Sequence, residues 1–161
     1  PYLDEKLRSD LDSFKHIAQK VNEAAVLCKQ SGLKLAYHNH DFEFKKFGNQ
    51  TGYDILLQET DKKLVDFVLD LYWVVRSGND PLALFKANPG RFTMWHVKDM
   101  DKSKGEWNTE IGEGSIDFKP LFAEAKLSGM KYFFVEQETN YSPNPMESIK
   151  TSWDFVSKQL V

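Results

Sequence analysis

The fold class of this chain is indicated most clearly by residues 64–71, Leu64-Val65-Asp66-Phe67-Val68-Leu69-Asp70-Leu71. It is a continuous apolar run that only two aspartates interrupt. Strands that are buried on both faces have this pattern, and such strands are typical of parallel sheets covered by helices. We therefore predict a buried strand here, with Asp70 at its end.

Segments on both sides of this strand complete a regular alternation. Three more short apolar segments predict strands, at residues 33–38, 92–97 and 131–135. Helical patterns cover residues 4–31, 53–59, 81–87, 118–128 and 146–160, and polar loops are predicted at 48–52 and 99–114. One helix followed by four strand–helix units implies an α/β fold with parallel strands and right-handed crossovers. Four such strands could form either a small open sheet or half of a (β/α)8 barrel. The length predicts a single domain over residues 1–161.

Composition and charge exclude several classes of protein. The net charge is −3 with both signs interspersed, so we expect no nucleic acid partner. No apolar stretch approaches the roughly 20 residues needed to span a bilayer, so we expect no membrane association. Cys28 is the only cysteine, which rules out a disulfide within the chain. Because the chain begins with Pro1 rather than Met, we expect a longer polypeptide and assign neither a cytoplasmic nor a periplasmic location.

Metal-binding residue types stand at the ends of the predicted strands. Asp70 ends the strand quoted above, His96 lies in the next one, and Glu136 follows the last. Parallel α/β folds place their sites at the carboxyl edge of the sheet, where these side chains would meet. The first strand ends in a further group of such residues, His38-Asn39-His40-Asp41-Phe42-Glu43. We predict a divalent-metal site, and the mixture of carboxylate and imidazole suits Mn, Mg, Co or Zn.

Structural alternatives exist for the same residues. A buried carboxylate at Asp70 needs a compensating positive charge. A salt bridge to Lys98 or Arg76 would supply this charge in place of a metal ion. A single histidine in a strand, such as His96, is more often a core residue with its hydrogen bonds made than a metal ligand. Only the nearby Asp70 and Glu136 favour the metal site.

Five segments in order resemble the sugar phosphate isomerase/epimerase family, the xylose isomerase-like TIM barrels. They are residues 37–44, 69–73, 96–99, 111–118 and 134–138, with the sequences YHNHDFEF, LDLYW, HVKD, IGEGSIDF and FVEQE. The resemblance implies that the chain is the C-terminal half of the barrel, strands five to eight, and that Pro1 falls just after strand four.

The resemblance also implies roles for particular residues. Asp70, His96 and Glu136 match three of the family's four metal ligands, and Glu136 is the expected catalytic base. The fourth ligand is a glutamate in many members; here His38 stands in that place and Glu43 lies nearby, so either is expected to complete the metal shell and to act as the second catalytic group. The expected substrate-binding residues are His40, Trp73, Lys102 and Trp107.

Alternatives remain for three of the substrate-binding residues. His40 could instead orient His38, Lys102 could be an ordinary surface residue, and Trp107 could anchor its loop by packing.

The resulting functional expectation is a divalent-metal-dependent sugar (phosphate) isomerase/epimerase that moves a proton next to a carbonyl of a small-molecule sugar. One alternative is a metal-dependent dehydratase or lyase acting on an oxidised sugar or inosose. The other is a non-catalytic sugar-binding barrel, which metal content would distinguish from an enzyme. Because a half barrel exposes two sheet edges, we also expect a homo-oligomer formed through those open edges, which sedimentation would detect.

Overall fold

The computed structural model describes residues 3–161, which form two compact units. The first unit ends at Val68 and the second begins at Leu69. In each unit the longer strands pair in parallel and alternate with helices along the chain, so the predicted α/β class is confirmed. Three expectations stay predictions: a single domain over residues 1–161, the assignment of the strands to barrel strands five to eight, and association through open sheet edges. The expected place of Pro1 after strand four lies outside the described residues.

Helix α1 (Leu11–Gln30) is the longest element of the first unit. Asp10 caps it, because its Oδ1 accepts a hydrogen bond from the backbone N–H of Ser13 at 2.7 Å. The helix buries Phe14, Ala18 and Ala25. The prediction of one helix from residue 4 is wrong at its beginning, since Glu5–Arg8 forms a separate 3-10 turn. Asp10 has the extended backbone that a capping residue needs, and this interrupts the helix.

A hairpin and a second helix follow in the first unit. The elements are β1 (Leu35–His38), β2 (Lys46–Phe47), β3 (Gln50–Thr51) and α2 (Gly52–Glu59). Strands β2 and β3 pair antiparallel, so the prediction of a plain loop at residues 48–52 is wrong. Two-residue strands are too short to show an alternating pattern in a sequence. A capping box between Thr51 and Asp54 begins α2.

The contact between α1 and α2 leaves no room for a side chain at Gly52. A Cβ atom at this position would lie 2.4 Å from ring carbons of Phe14. The ring therefore packs directly on the backbone at the first turn of α2, and glycine is required here for space.

Strand β4 (Val65–Asp70) confirms the strand predicted at residues 64–71. It pairs in parallel with β1, with Leu35 opposite Val65 and His38 opposite Val68. Its last two residues belong to the second unit.

The second unit contains the remaining elements. They are α3 (Leu71–Arg76), α4 (Pro81–Ala87), β5 (Met94–Val97), β6 (Asp99–Asp101), β7 (Trp107–Thr109), α5 (Phe118–Ala123), α6 (Ala125–Ser128), β8 (Tyr132–Val135) and α7 (Pro145–Gln159). Strands β5 and β8 pair in parallel, with Met94 opposite Tyr132 and Val97 opposite Val135. The predicted helix at 118–128 is interrupted at Glu124, and α3 was not predicted.

The segment predicted as a polar loop, residues 99–114, contains an antiparallel hairpin of β6 and β7. That prediction is therefore wrong. Asp99 explains the difference, because its buried carboxylate organises the segment. The carboxylate accepts four backbone hydrogen bonds, at 2.8 to 3.1 Å, from Met100, Gly112, Gly114 and Ile116. A Cβ atom at Gly114 would lie 2.2 Å from Asp99 Oδ1, so the approach of this loop depends on glycine.

Aromatic side chains form the core beside β5. The Trp95 ring stacks on Phe85 at a centroid distance of 5.1 Å, and Phe122 meets it edge-on at 5.4 Å. Because successive strand residues point to opposite faces, this core directs His96 to the other side of the sheet. No helix within residues 3–161 is long and apolar enough to cross a membrane.

Candidate metal centre

Three predicted ligands lie together at the carboxyl ends of strands in the second unit. His96 Nδ1 lies 2.6 Å from Glu136 Oε2 and 3.7 Å from Asp70 Oδ2. The strand register brings Glu136 there, since its backbone N–H donates to the Val97 carbonyl at 3.1 Å and extends the β5–β8 ladder. Asp70 also caps α3 through Oδ1, which accepts from the N–H of Trp73 at 3.2 Å.

Lys98 lies among the same carboxylates and is almost completely buried, with 1% of its surface exposed. Its Nζ is 3.1 Å from Asp70 Oδ2, 3.0 Å from Glu136 Oε2 and 3.4 Å from Glu138 Oε2. The salt bridge between Asp70 and Lys98, the structural alternative to a metal ion, is therefore present.

These contacts shift the pKa values strongly. Contact with His96 is the largest cause that lowers the pKa of Glu136 to about 2, with Lys98 acting in the same direction against the effect of burial. Burial alone lowers the pKa of His96, but the carboxylates of Asp70 and Glu136 outweigh it and raise the pKa to about 9. Burial likewise lowers the pKa of Lys98, and attraction to Asp70 and Glu136 reverses the shift, so it is raised overall. These shifts favour an ionised Glu136 carboxylate beside the cationic forms of His96 and Lys98.

The donor atoms fit a divalent metal ion. One imidazole nitrogen and two carboxylate oxygens converge, which is the ligand mixture that Mn, Co and Zn accept. Asp70 is fully buried, whereas a quarter of the His96 side chain and a third of the Glu136 side chain are exposed. A metal held here would therefore be anchored on one side and reachable on the other.

The predicted site residues of the first unit, His38, His40 and Glu43, lie at and just after the end of β1. His38 and His40 meet edge-on at a ring centroid distance of 4.9 Å, and His40 stacks on Phe42 at 5.8 Å. The buried Glu43 carboxylate accepts hydrogen bonds at 2.9 Å from the Tyr37 hydroxyl and from the His40 backbone N–H. His38 as fourth ligand and Glu43 as catalytic group stay predictions.

We expect the stability of the metal-free protein to depend on pH through Glu43. Burial raises the pKa of Glu43 from its ordinary 4.5 to about 7. Between these values the folded state binds the proton more tightly than the unfolded chain, so this group's contribution to stability falls as pH rises. The shift corresponds to about 3 kcal/mol. Urea unfolding in EDTA from pH 4.5 to pH 8 measures it.

Two variants control this pH measurement. Glu43→Gln should lose the corresponding part of the pH slope. Tyr37→Phe should extend the slope to higher pH, because the Tyr37 hydrogen bond lowers the pKa of Glu43. If the parent protein and Glu43→Gln have the same pH profile, the assignment of the slope to this carboxyl group is wrong.

The other predicted substrate-binding residues lie in two places. The Trp73 ring faces the Lys98 ammonium at 5.8 Å and the Arg76 guanidinium at 5.0 Å, which places it beside the metal-ligand cluster. Lys102 is an exposed residue of the 3-10 turn Lys102–Lys104, and Trp107, at 57% exposure, begins β7. Lys102 and Trp107 are not members of the ion-pair cluster, and their binding role stays a prediction.

Lys98 and Glu138 were not among the predicted site residues, although a signal for them existed. Each stands two positions after a predicted ligand, His96 and Glu136 respectively. Residues two apart along a strand share a face, so both were candidates for the same cluster.

Parallel strand–helix units with a carboxylate and imidazole cluster at the strand ends define the class of (β/α)-barrel proteins that carry a site at that edge. The chain belongs to the xylose isomerase-like TIM barrel family, whose sequence profile matches residues 2–159. The resemblance predicted from the sequence is confirmed.

Individual relatives match most or all of this chain. The chain is 30% identical over 165 residues to inosose dehydratase of Clostridium perfringens, covering 91% of this chain and 55% of that protein. It is 27% identical over 179 residues to inosose dehydratase of Lactiplantibacillus plantarum, covering 100% of this chain and 57% of that protein. A sugar phosphate isomerase/epimerase structure from Parabacteroides distasonis superimposes with a TM-score of 0.82 at 26% identity, over 100% of this chain and 56% of that one. The chain spans about half the length of the curated relatives it matches.

Proposed function

We propose that the complete protein is a divalent-metal-dependent enzyme that removes a proton next to a carbonyl of a keto-polyol and then expels water. The convergence of Asp70 Oδ2, His96 Nδ1 and Glu136 Oε2 carries the proposal, because these donors suit a metal that holds oxygen-rich substrates.

The relatives favour dehydration over isomerisation. Curated relatives that match most of this chain are inosose dehydratases, which agrees with the alternative drawn from the sequence rather than with the isomerase expectation. Dehydration and epimerisation both begin with removal of a proton beside a carbonyl. They differ in the second step. In dehydration the neighbouring hydroxyl group leaves as water with the proton that the base took up, whereas epimerisation returns a proton to the opposite face.

Asp70, His96 and Glu136 would hold the metal, which is Mn, Mg, Co or Zn. When bound, the ion supplies a positive charge that polarises the substrate carbonyl. Glu136 is ionised and is the carboxylate that we assign as the base. It is a weak base in the present arrangement, because His96 and Lys98 stabilise its negative charge, so proton uptake requires one of these contacts to lengthen.

Two further residues would act on the substrate. The Lys98 ammonium places a second positive charge beside the oxyanion that forms when the proton leaves. Trp73 would provide an apolar wall next to this charge.

Epimerisation is the second candidate, supported by the similarity to the sugar phosphate isomerase/epimerase of Parabacteroides distasonis. It needs a second base, and His38 or Glu43 is the predicted group.

Exchange in D2O tests the proposal with the complete protein, Mn²⁺ and an inosose or a ketose. We expect NMR to show loss of the hydrogen next to the carbonyl, together with a new enone absorbance that reports water loss. Glu136→Gln should slow the exchange at least 100-fold, since it removes the base. Exchange with formation of an epimer and no enone would establish the second candidate instead. No exchange with either substrate class would contradict both.

A further inference from the structure

Lys98 occupies the same oxygens that the metal would use. Its ammonium contacts Asp70 Oδ2 and Glu136 Oε2, and these two atoms are also the carboxylate oxygens nearest to His96 Nδ1. A side chain with 1% exposure has little freedom to leave the cluster. The two carboxylate oxygens that would hold a metal ion are therefore already paired with the Lys98 ammonium.

We propose that Lys98 is a built-in competitor of the metal, which neutralises the carboxylates in the metal-free protein and sets the metal affinity. The proposal rests on the metal site proposed above. Without a metal, Asp70, Glu136 and Glu138 place three carboxylates around one ammonium, and this arrangement is stable because Lys98 pairs with each of them. For Asp70 and Glu136 to hold a divalent ion, the ammonium would have to give up part of these contacts, because like charges repel each other.

Glu138 is a third anionic partner of Lys98. Its Oε2 lies 3.4 Å from Lys98 Nζ, and half of its side chain is exposed, so it is free of the burial that constrains Asp70. It is not one of the proposed ligands. The ammonium also lies 5.9 and 5.8 Å from the ring centroids of Tyr72 and Trp73, whose faces attract a cation. Lys98 can thus retain an anionic partner while Asp70 and Glu136 turn to the metal.

Lys98→Met tests the competitor role by removing the charge while keeping an unbranched apolar stem. Titration calorimetry with Mn²⁺ should give a Kd at least tenfold lower than that of the parent protein. The melting temperature in EDTA should fall, because the three carboxylates lose the ammonium that pairs with each of them. The rise in melting temperature on adding Mn²⁺ should be larger than in the parent.

Glu138→Gln provides an independent variant in case Lys98→Met does not fold. It leaves the ammonium in place but removes its alternative partner, so Mn²⁺ binding should weaken several-fold, opposite in direction to the effect of Lys98→Met. In the double variant the effect of Glu138→Gln should disappear, since no lysine remains to be held.

The outcomes separate the two proposals. If the parent binds Mn²⁺ and Lys98→Met binds it equally or more weakly, the competitor role is wrong and the metal site stands. An unchanged Kd in Glu138→Gln leads to the same conclusion about Lys98 and its second partner. If neither the parent nor Lys98→Met binds Mn²⁺ or Zn²⁺, the metal site itself is wrong and the competitor role falls with it.

Discussion

Replacing Asp99 by alanine should lower the free energy of unfolding of the second unit by about 4 kcal/mol, since buried backbone N–H groups left without an acceptor cost about 1–3 kcal/mol each and part of the loop can relax. The carboxylate is fully buried and accepts from four backbone N–H groups. Burial raises the pKa of Asp99 even though these four donors oppose the shift. Urea unfolding monitored by tryptophan fluorescence measures the loss.

Asp101→Ala is the matched control for Asp99→Ala. Asp101 lies two residues further along β6. Its carboxylate caps an exposed turn by accepting from the N–H and the hydroxyl of Ser103, and it lies 4.0 Å from the Lys104 ammonium. Its removal should cost about 1 kcal/mol, the usual value for a lost capping group. Equal losses in the two variants would mean that the four hydrogen bonds of Asp99 do not hold the loop.

Replacing Asp70 by asparagine should weaken Mn²⁺ binding by at least 100-fold. The change keeps the size of the side chain, and an amide oxygen can still cap α3 through the Trp73 N–H. It removes the negative charge that a divalent ion needs and leaves the Lys98 ammonium with one fewer partner. Titration calorimetry on metal-free protein gives the affinity directly.

Asp66→Asn is the control for Asp70→Asn, because it makes the same chemical change on the same strand. Asp66 is half-buried and pairs with Lys34 at 3.3 Å. We expect its Mn²⁺ affinity to equal that of the parent protein. A Kd for Asp70→Asn within threefold of the parent would remove Asp70 from the set of ligands.

The sequence predicted the parallel strands well because burial leaves a clear pattern in them. Strand β4 consists of apolar residues with two aspartates, and β5 and β8 were located to within two residues. The two hairpins were missed for the opposite reason. Strands β2, β3, β6 and β7 have two or three residues each, and their pairing depends on partners that a local pattern does not show.

The site was predicted only in part. The convergence of Asp70, His96 and Glu136 followed from the rule that parallel strands end at one edge, and the geometry agrees. Lys98 appeared only as an alternative partner of Asp70, because a sequence does not show that one ammonium can reach three carboxylates at once. The organising role of Asp99 was hidden as well, since its four partners lie up to 17 residues away along the chain.

The packing of Phe14 on Gly52 has an evolutionary consequence. Any side chain at position 52 would collide with the ring, so a substitution there becomes tolerable only after position 14 has changed to something smaller. Conversely, a small residue at position 14 would leave a cavity that a larger residue at 52 could fill. The two positions should therefore vary together as the family diverges, although they lie on different helices.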